Sequence, residues 1–319
     1  MNKDNYIYII SENFVLENNQ KWIIDVFAKE FIEYSGLKFT QDINTADIVW
    51  VIGYELDEVK KINNLSKKPF VITTIHHIDW SNSEPMIQMI KILDNITHRY
   101  HVICDKVEID LRTLTEKPIV KANFWINENN FYKIENKEEL RKKWNLDNDK
   151  YIVGSFQRDT RGKSKCVLPK MSKGPDIFFK VIRNMKRNRN NIVVLLTGRR
   201  RNYIISELEK ASIKYIYHEM VSISDLNELY NCLDLYIVSS RVEGGPRSIM
   251  ECGLSKTPII STDVGIASLI MNPEGIYDMN DIKTYKNAEV DVEYVYEKTK
   301  KYSICNYMKE FIQKVMIVD

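Results

Sequence analysis

Short apolar, β-branched runs alternate with segments of helical spacing along almost the whole chain, and few folds accommodate that rhythm. Tyr6–Ile10, Asp47–Ile52, Pro69–Ile75, Tyr100–Cys104 and Pro118–Ala122 read as strands. Gln20–Tyr34, Met86–Leu93 and Lys106–Thr115 read as helices between them. Runs such as Phe70–Ile75 lack polar alternation, as strands covered on both faces of a parallel sheet do. A polar segment, 127–143, ends in the charged helix Lys137–Lys143. The series then restarts, with strands at Tyr151–Phe156, Asn191–Thr197, Tyr215–Tyr217, Leu235–Val238 and Pro258–Ser261. Helices at Asp176–Lys186, Tyr203–Ala211, Ser224–Cys232 and Arg247–Leu254 alternate with them. Two such series predict an α/β chain of two Rossmann-like, doubly wound domains, 1–145 and 146–319. In such sheets ligands sit beyond the strand carboxyl ends, which for two facing domains is the cleft between them. The last helical stretch, Ile304–Val315, is expected to cross back to the first domain.

Composition narrows the partners. The net charge is only +2, so the molecule as a whole is not built to bind nucleic acid. Residues 1–145 carry 19 basic and 22 acidic side chains and the remainder 27 and 22, which makes the second half the better host for an anion. Five cysteines, Cys104, Cys166, Cys232, Cys252 and Cys305, show no paired short spacing. That fits a reduced, cytoplasmic setting better than a disulfide framework or a zinc cluster. No signal peptide or bilayer-spanning stretch is apparent, and the glycines form neither a dinucleotide fingerprint nor a P-loop.

The chemistry-bearing stretch is Ser239-Ser240-Arg241-Val242-Glu243-Gly244-Gly245-Pro246-Arg247-Ser248-Ile249-Met250-Glu251. It follows an apolar strand and opens a helix whose first turn would take Pro246. Gly244 and Gly245 leave backbone amides open at the positive end of that helix, a setting for phosphate. Glu243 and Glu251 would accept hydrogen bonds from sugar hydroxyls on either side. The competing reading of Glu251 is a surface pair with Arg247 one helical turn away, worth a few tenths of a kcal/mol. A second constellation follows the first strand of the second series: Arg158 at the strand end, and Lys173-Gly174-Pro175-Asp176 at a helix start. An arginine fork and a lysine point charge suit a diphosphate. Between them the insert 159–172 carries Arg161, Lys163, Lys165 and Lys170 opposed by Asp159 alone, and its lysines read as a solvated charge run.

The ordered set Gly154…Arg158…Lys173-Gly174, Leu196-Thr197-Gly198, Asp225…Leu229-Tyr230…Asp234, Ser240…Glu243-Gly244-Gly245-Pro246…Glu251 and Thr257-Pro258…Asp263-Val264-Gly265 resembles the family 4 glycosyltransferases. The resemblance implies a GT-B fold and, for most members, retention without metal. It implies that Glu243 contacts the donor sugar, Glu251 the ribose, Arg158 and Lys173 the diphosphate, and Gly244 and Gly245 sugar and phosphate. It places a histidine at the end of the strand Phe70–Ile75, where His76 fits best and His77 competes. With an ordinary imidazole pKa, His76 would trade protons near neutrality. The loop after His218 would meet the nucleobase, with Met220 the weak candidate. Two departures stand out: fifteen positions separate Arg158 from Lys173, where the family commonly has a short link, and Ile10-Ser11-Glu12-Asn13 lacks the usual glycine. His98 and His101 lie at the wrong strand end and read as structural. Aromatic residues such as Phe178 and Phe179 read as core, and Trp80 and Trp125 carry no assignment.

The expected activity is sugar transfer from a nucleoside-diphosphate sugar (UDP-, GDP- or ADP-linked) to an acceptor hydroxyl on a glycan, lipid-linked glycan or small molecule. No cofactor is expected, and peripheral membrane contact is compatible with a lipid-linked acceptor. Two alternatives remain: a GT-B epimerase or phosphorylase, and a non-catalytic nucleotide-sugar-binding subunit.

Overall fold

The structure of the protein, a computed structural model, describes residues 5–11, 23–53, 56–162, 166–287 and 290–317. The start of the first expected helix, the turn residues Glu12 and Asn13, and Lys163 and Lys165 lie outside those residues. The chain divides into two compact units, Met1–Trp125 with Ile304–Asp319, and Ile126–Ser303.

The first unit is a parallel sheet of β1 (Tyr6–Ile10), β2 (Lys38–Phe39), β3 (Ile48–Val51), β4 (Phe70–Ile75), β5 (Arg99–Val102) and β6 (Ile119–Lys121), in the order β2-β1-β3-β4-β5-β6. β3 is buried throughout and β4 nearly so, which is why neither sequence alternates. The threonines of β4 satisfy their hydroxyls inside the sheet. Thr73 pairs with Thr97 at 2.7 Å, and Thr74 accepts from Trp50 Nε1 at 2.9 Å. His101 donates from Nε2 to the Ala122 carbonyl (2.8 Å), so its Nδ1 accepts from Thr74 Oγ1 (3.0 Å). Phe31, Trp50, Trp125 and Phe311 share one aromatic cluster, with Phe31–Trp50 centroids 4.9 Å apart and Trp125–Phe311 5.0 Å. Phe311 comes from the helix Ile304–Phe311, so the end of the chain builds part of this core.

Burial pushes the His76 and His101 imidazoles down to about 4 from 6.5. Between those values the unfolded chain binds protons that the folded rings refuse. Stability is therefore full above pH 6.5 and falls as pH drops toward the folded values. The slope approaches about 1.4 kcal/mol per pH unit for each ring. Urea unfolding at about pH 7 and pH 5, followed by tryptophan fluorescence, measures it. Equal midpoints at the two values would show that the rings are not held neutral.

The second unit is a parallel sheet of β7 (Tyr151–Ser155), β8 (Ile192–Thr197), β9 (Tyr215–His218), β10 (Leu235–Val238), β11 (Ile259–Thr262) and β12 (Ile276–Tyr277), in the order β12-β11-β10-β7-β8-β9. The core gathers Val153, Phe178, Val181, Leu196 and Ile237, with Phe179 partly buried against it. The order reverses between β7 and β10, so two loops leave neighbouring strands in opposite directions and open a crevice there.

The boundary at Trp125/Ile126 lies earlier than the 145/146 division expected from the alternation. The linking segment packs on the second unit. Asn227 and Asn231 accept from the backbone of Tyr132 and Ile134 (3.1 and 2.8 Å). Lys137 and Arg141 both bind Asp234 (2.8 and 2.6 Å).

Candidate active site

β7 and β10 lie side by side, with Leu235 opposite Val153 and Tyr236 opposite Gly154, so their carboxyl ends emerge together. Gln157 and Arg158 leave β7, and Ser239–Pro246 leaves β10. Lys173 reaches the same place from the turn Met171–Lys173, just before the helix Pro175–Asn188. That turn is pinned to the β10 loop. Arg241 and Val242 donate their backbone amides to the Ser172 carbonyl (2.8 and 3.1 Å). The Arg241 guanidinium takes Asp176 in a two-pronged pair, 2.7 Å on each arm. Gly174, at φ 58°, caps the helix, and a Cβ there would lie 1.7 Å from the Ser239 carbonyl oxygen. No other residue fits at that approach.

The side chains converge. Lys173 Nζ is ion-paired with Glu243 Oε1, and both are largely buried. Ser240 Oγ lies 3.3 Å from the same carboxylate and 3.1 Å from Gln157 Oε1. Gln157 Nε2 donates to the Lys173 carbonyl at 2.9 Å, and Ser239 Oγ does so at 3.2 Å. Gly244 is buried, and Gly265, at φ 58°, packs so tightly on it that a Cβ would lie 2.4 Å from its carbonyl oxygen.

The helix after the glycine pair runs Arg247–Ser255. Pro246 is its cap at ψ 103° rather than a residue of its first turn, because its backbone is still extended. Glu251 lies 3.3 Å from Arg247 and accepts from Tyr230 Oη at 2.6 Å. Both charged side chains are buried, so the pair that the competing reading placed on the surface is an interior one. Gly245 is half-buried.

Arg158 is half-buried, and its Nε donates to the Thr160 carbonyl at 3.0 Å. Burial, and then Arg200, lowers its pKa. The insert that follows folds back on itself. Thr160 and Pro169 form an antiparallel bridge, Arg161 N donates to Leu168 O (2.8 Å), and Lys170 N to Asp159 O (2.7 Å). The long sequence separation of Arg158 and Lys173 is thereby closed by a hairpin.

In the first unit, His76 follows β4. Its Nε2 donates to the Ile52 carbonyl at 2.7 Å, and its ring stacks on Phe124 with centroids 5.9 Å apart. With its pKa held at about 4 by burial, the ring is neutral at pH 7. That value lies below the range near neutrality in which the sequence has the ring trading protons. His98 accepts from Val71 N at 3.1 Å, and His101 belongs to the sheet interior. Trp125 is core, donating to Glu30 at 2.9 Å, while Trp80 and Met220 are exposed.

Sequence reasoning assigned no role to Gln157 or Tyr230. Gln157 was reachable, because it directly precedes Arg158 at the same strand end. Tyr230 was not, since its link to Glu251 spans two elements.

Residues 136–302 match the family model described as glycosyl transferases group 1. No curated sequence relative matches significantly. Among solved structures, the chain is similar to HepE of Anabaena, solved with UDP and glucose, at 10% identity and a TM-score of 0.74, over 98% of this chain and 99% of that one. It is similar to a sucrose-phosphate synthase of Thermosynechococcus elongatus at 14% identity and a TM-score of 0.65, over 92% and 77% of the two chains. A UDP-forming trehalose-phosphate synthase of Burkholderia xenovorans gives 12% and 0.65, over 93% and 78%. At these identities the likeness speaks for the shared GT-B fold.

Proposed function

The chain belongs to the group 1 glycosyl transferases, and from that premise we propose that it is a retaining, metal-independent hexosyltransferase of the family 4 type, acting on a nucleoside-diphosphate sugar. The observation that carries this reading is the network of Lys173, Glu243, Ser240 and Gln157 at the reversal point of the second sheet. A cation, a carboxylate and a helix start meet there, where the fold collects ligands. Lys173 and Arg158 would bind the diphosphate, and the Gly244 and Gly245 amides would support it. Glu243 would accept from donor-sugar hydroxyls and Glu251 from the ribose. Met220, exposed beyond β9, would lie beside the base.

In the proposed reaction the acceptor hydroxyl bonds to the anomeric carbon while the bond from that carbon to the phosphate oxygen breaks. The nucleoside diphosphate leaves with the electron pair, and the acceptor's proton passes to the departing phosphate. Protein cations neutralise the developing charge in place of a metal. His76 would contribute a hydrogen bond to substrate as a neutral ring. The acceptor would be a carbohydrate, free or lipid-linked, with the enzyme in the cytoplasm. Among the described residues no helix is long and apolar enough to cross a membrane.

Thermal-shift screening against UDP, GDP, ADP and their sugars tests the reading. UDP is the first to try, given the HepE complexes. A bound nucleotide raises the melting point by mass action, and a panel that moves nothing overturns the assignment. Incubating the preferred donor alone then separates transfer from epimerisation, which needs no acceptor.

Tyr230→Phe tests the ribose side. Losing the hydroxyl removes one of the bonds that orient Glu251, so donor KM should rise about tenfold with kcat within about twofold, the effect of one hydrogen bond to a charged group. Steady-state kinetics against donor concentration measures the split. A fall in kcat at constant KM would place Tyr230 elsewhere in the cycle.

A further inference from the structure

The backbone of the basic insert decides where Lys170 ends up. Lys170 N bonds to the Asp159 carbonyl at 2.7 Å, so Lys170 stands across a hairpin rung from the neighbour of Arg158. Lys173 N bonds to the Lys170 carbonyl at 2.9 Å, so Lys170 is also one tight turn before Lys173. A residue that reads in sequence as one more charge on a solvated loop is thus held between the two cations of the donor site, half-buried.

The nearby carboxylates are committed elsewhere. Glu243 is on Lys173, and Asp159 is on Arg201 at 2.5 Å. Among the described residues neither Lys170 nor Arg158 has an ion-pair partner. Burial, then Lys173 and Arg158, lowers the Lys170 pKa, with Arg161 adding to the effect and Glu243 opposing it. Like charges that a fold keeps close, partly desolvated and unmatched make a site for an anion.

We propose that Lys170 is a third cation of the diphosphate site, delivered by the insert, and that it binds the terminal phosphate of the departing nucleoside diphosphate. This rests on the donor-site reading above. Breaking the sugar–phosphate bond leaves a further negative charge on that phosphate, so a cation there favours the leaving group over the intact donor.

Calorimetric titration of wild-type protein, Lys170→Gln and Lys170→Arg with UDP, GDP or ADP and the matching monophosphate tests it. Lys170→Gln should weaken diphosphate binding about tenfold or more, the value of one charge-assisted hydrogen bond, and monophosphate binding by less than about twofold. Lys170→Arg should restore the diphosphate affinity. Only the protonated amine binds, so wild-type diphosphate affinity should decline as pH rises through the lowered lysine pKa. In Lys170→Arg the part of that decline due to residue 170 should be absent, leaving a smaller loss of affinity than in wild type over the same pH range. Equal effects on the two nucleotides, or none, would overturn the role of Lys170 while the donor site stands. Wild-type protein that binds neither nucleotide would overturn the donor site and this inference together.

Discussion

Lys173→Ala should lower kcat/KM for transfer by about two to three orders of magnitude, the loss seen when one preorganised group facing developing charge is removed. The fold should survive. Lys173 sits at the end of a turn whose position is set by backbone bonds from Arg241 and Val242 and by the Arg241–Asp176 pair, none of which the substitution touches. Glu243 loses its counter-ion while largely buried, so the melting point should fall by several degrees with both sheets intact. Glu243→Gln separates the two halves of the pair. The amide keeps nearly the same shape and loses the charge, so affinity for the nucleoside diphosphate should hold while affinity for the nucleotide sugar and turnover fall. Lys173→Ala should lose both affinities. Identical profiles for the two variants would mean that Glu243 acts only as the counter-ion of Lys173, and full transfer in either would remove the pair from the active site.

Much of this site was legible because its residues sit where a doubly wound sheet must end a strand or begin a helix. Glu243 follows β10 and Lys173 stands just before a helix, and those positions show in a single sequence through apolar runs and a Lys-Gly-Pro step. What pairs with what was not legible. That Lys173 meets Glu243, that Tyr230 bonds Glu251, and that Arg241 grips Asp176 all depend on bringing separate β-α units to one edge. Strand periodicity does not encode that. Two-residue strands such as Lys38–Phe39 and Ile276–Tyr277 are too short to show a period, so both sheets read narrower than they are. The imidazole of His76 carried the opposite lesson. Its place at a strand end was readable, but its charge state depends on Ile52, Phe124 and burial, which only the folded unit supplies.

The largest stability effect should come from Asp159, which the sequence shows only as the lone acid in a basic insert. Its side chain is 3% exposed and bonded to the Arg201 Nε at 2.5 Å. Arg201, itself 1% exposed, also donates to the Ser155 carbonyl at 2.5 Å and the Thr197 carbonyl at 2.9 Å. One buried guanidinium therefore ties the carboxyl ends of β7 and β8 to the base of the insert. Thr160 adds to the same knot, donating to Asp159 at 2.7 Å and accepting from Tyr203 N at 2.9 Å. Asp159→Ala leaves the guanidinium buried without its counter-ion, which costs about 3–5 kcal/mol. For a unit of this size that is a fall of roughly 10 °C in melting temperature. Arg201→Met in the same background removes the stranded charge and should recover much of the loss, since a buried pair is worth less than the penalty for breaking it. A scanning-calorimetry cycle over the two singles and the double measures this directly. If Asp159→Ala melts with wild type, the pair is solvated and the insert is not anchored through it. If the double variant is stable but binds nucleoside diphosphate weakly, the knot's purpose is placement: holding the hairpin so that Arg158 and Lys170 face the phosphate.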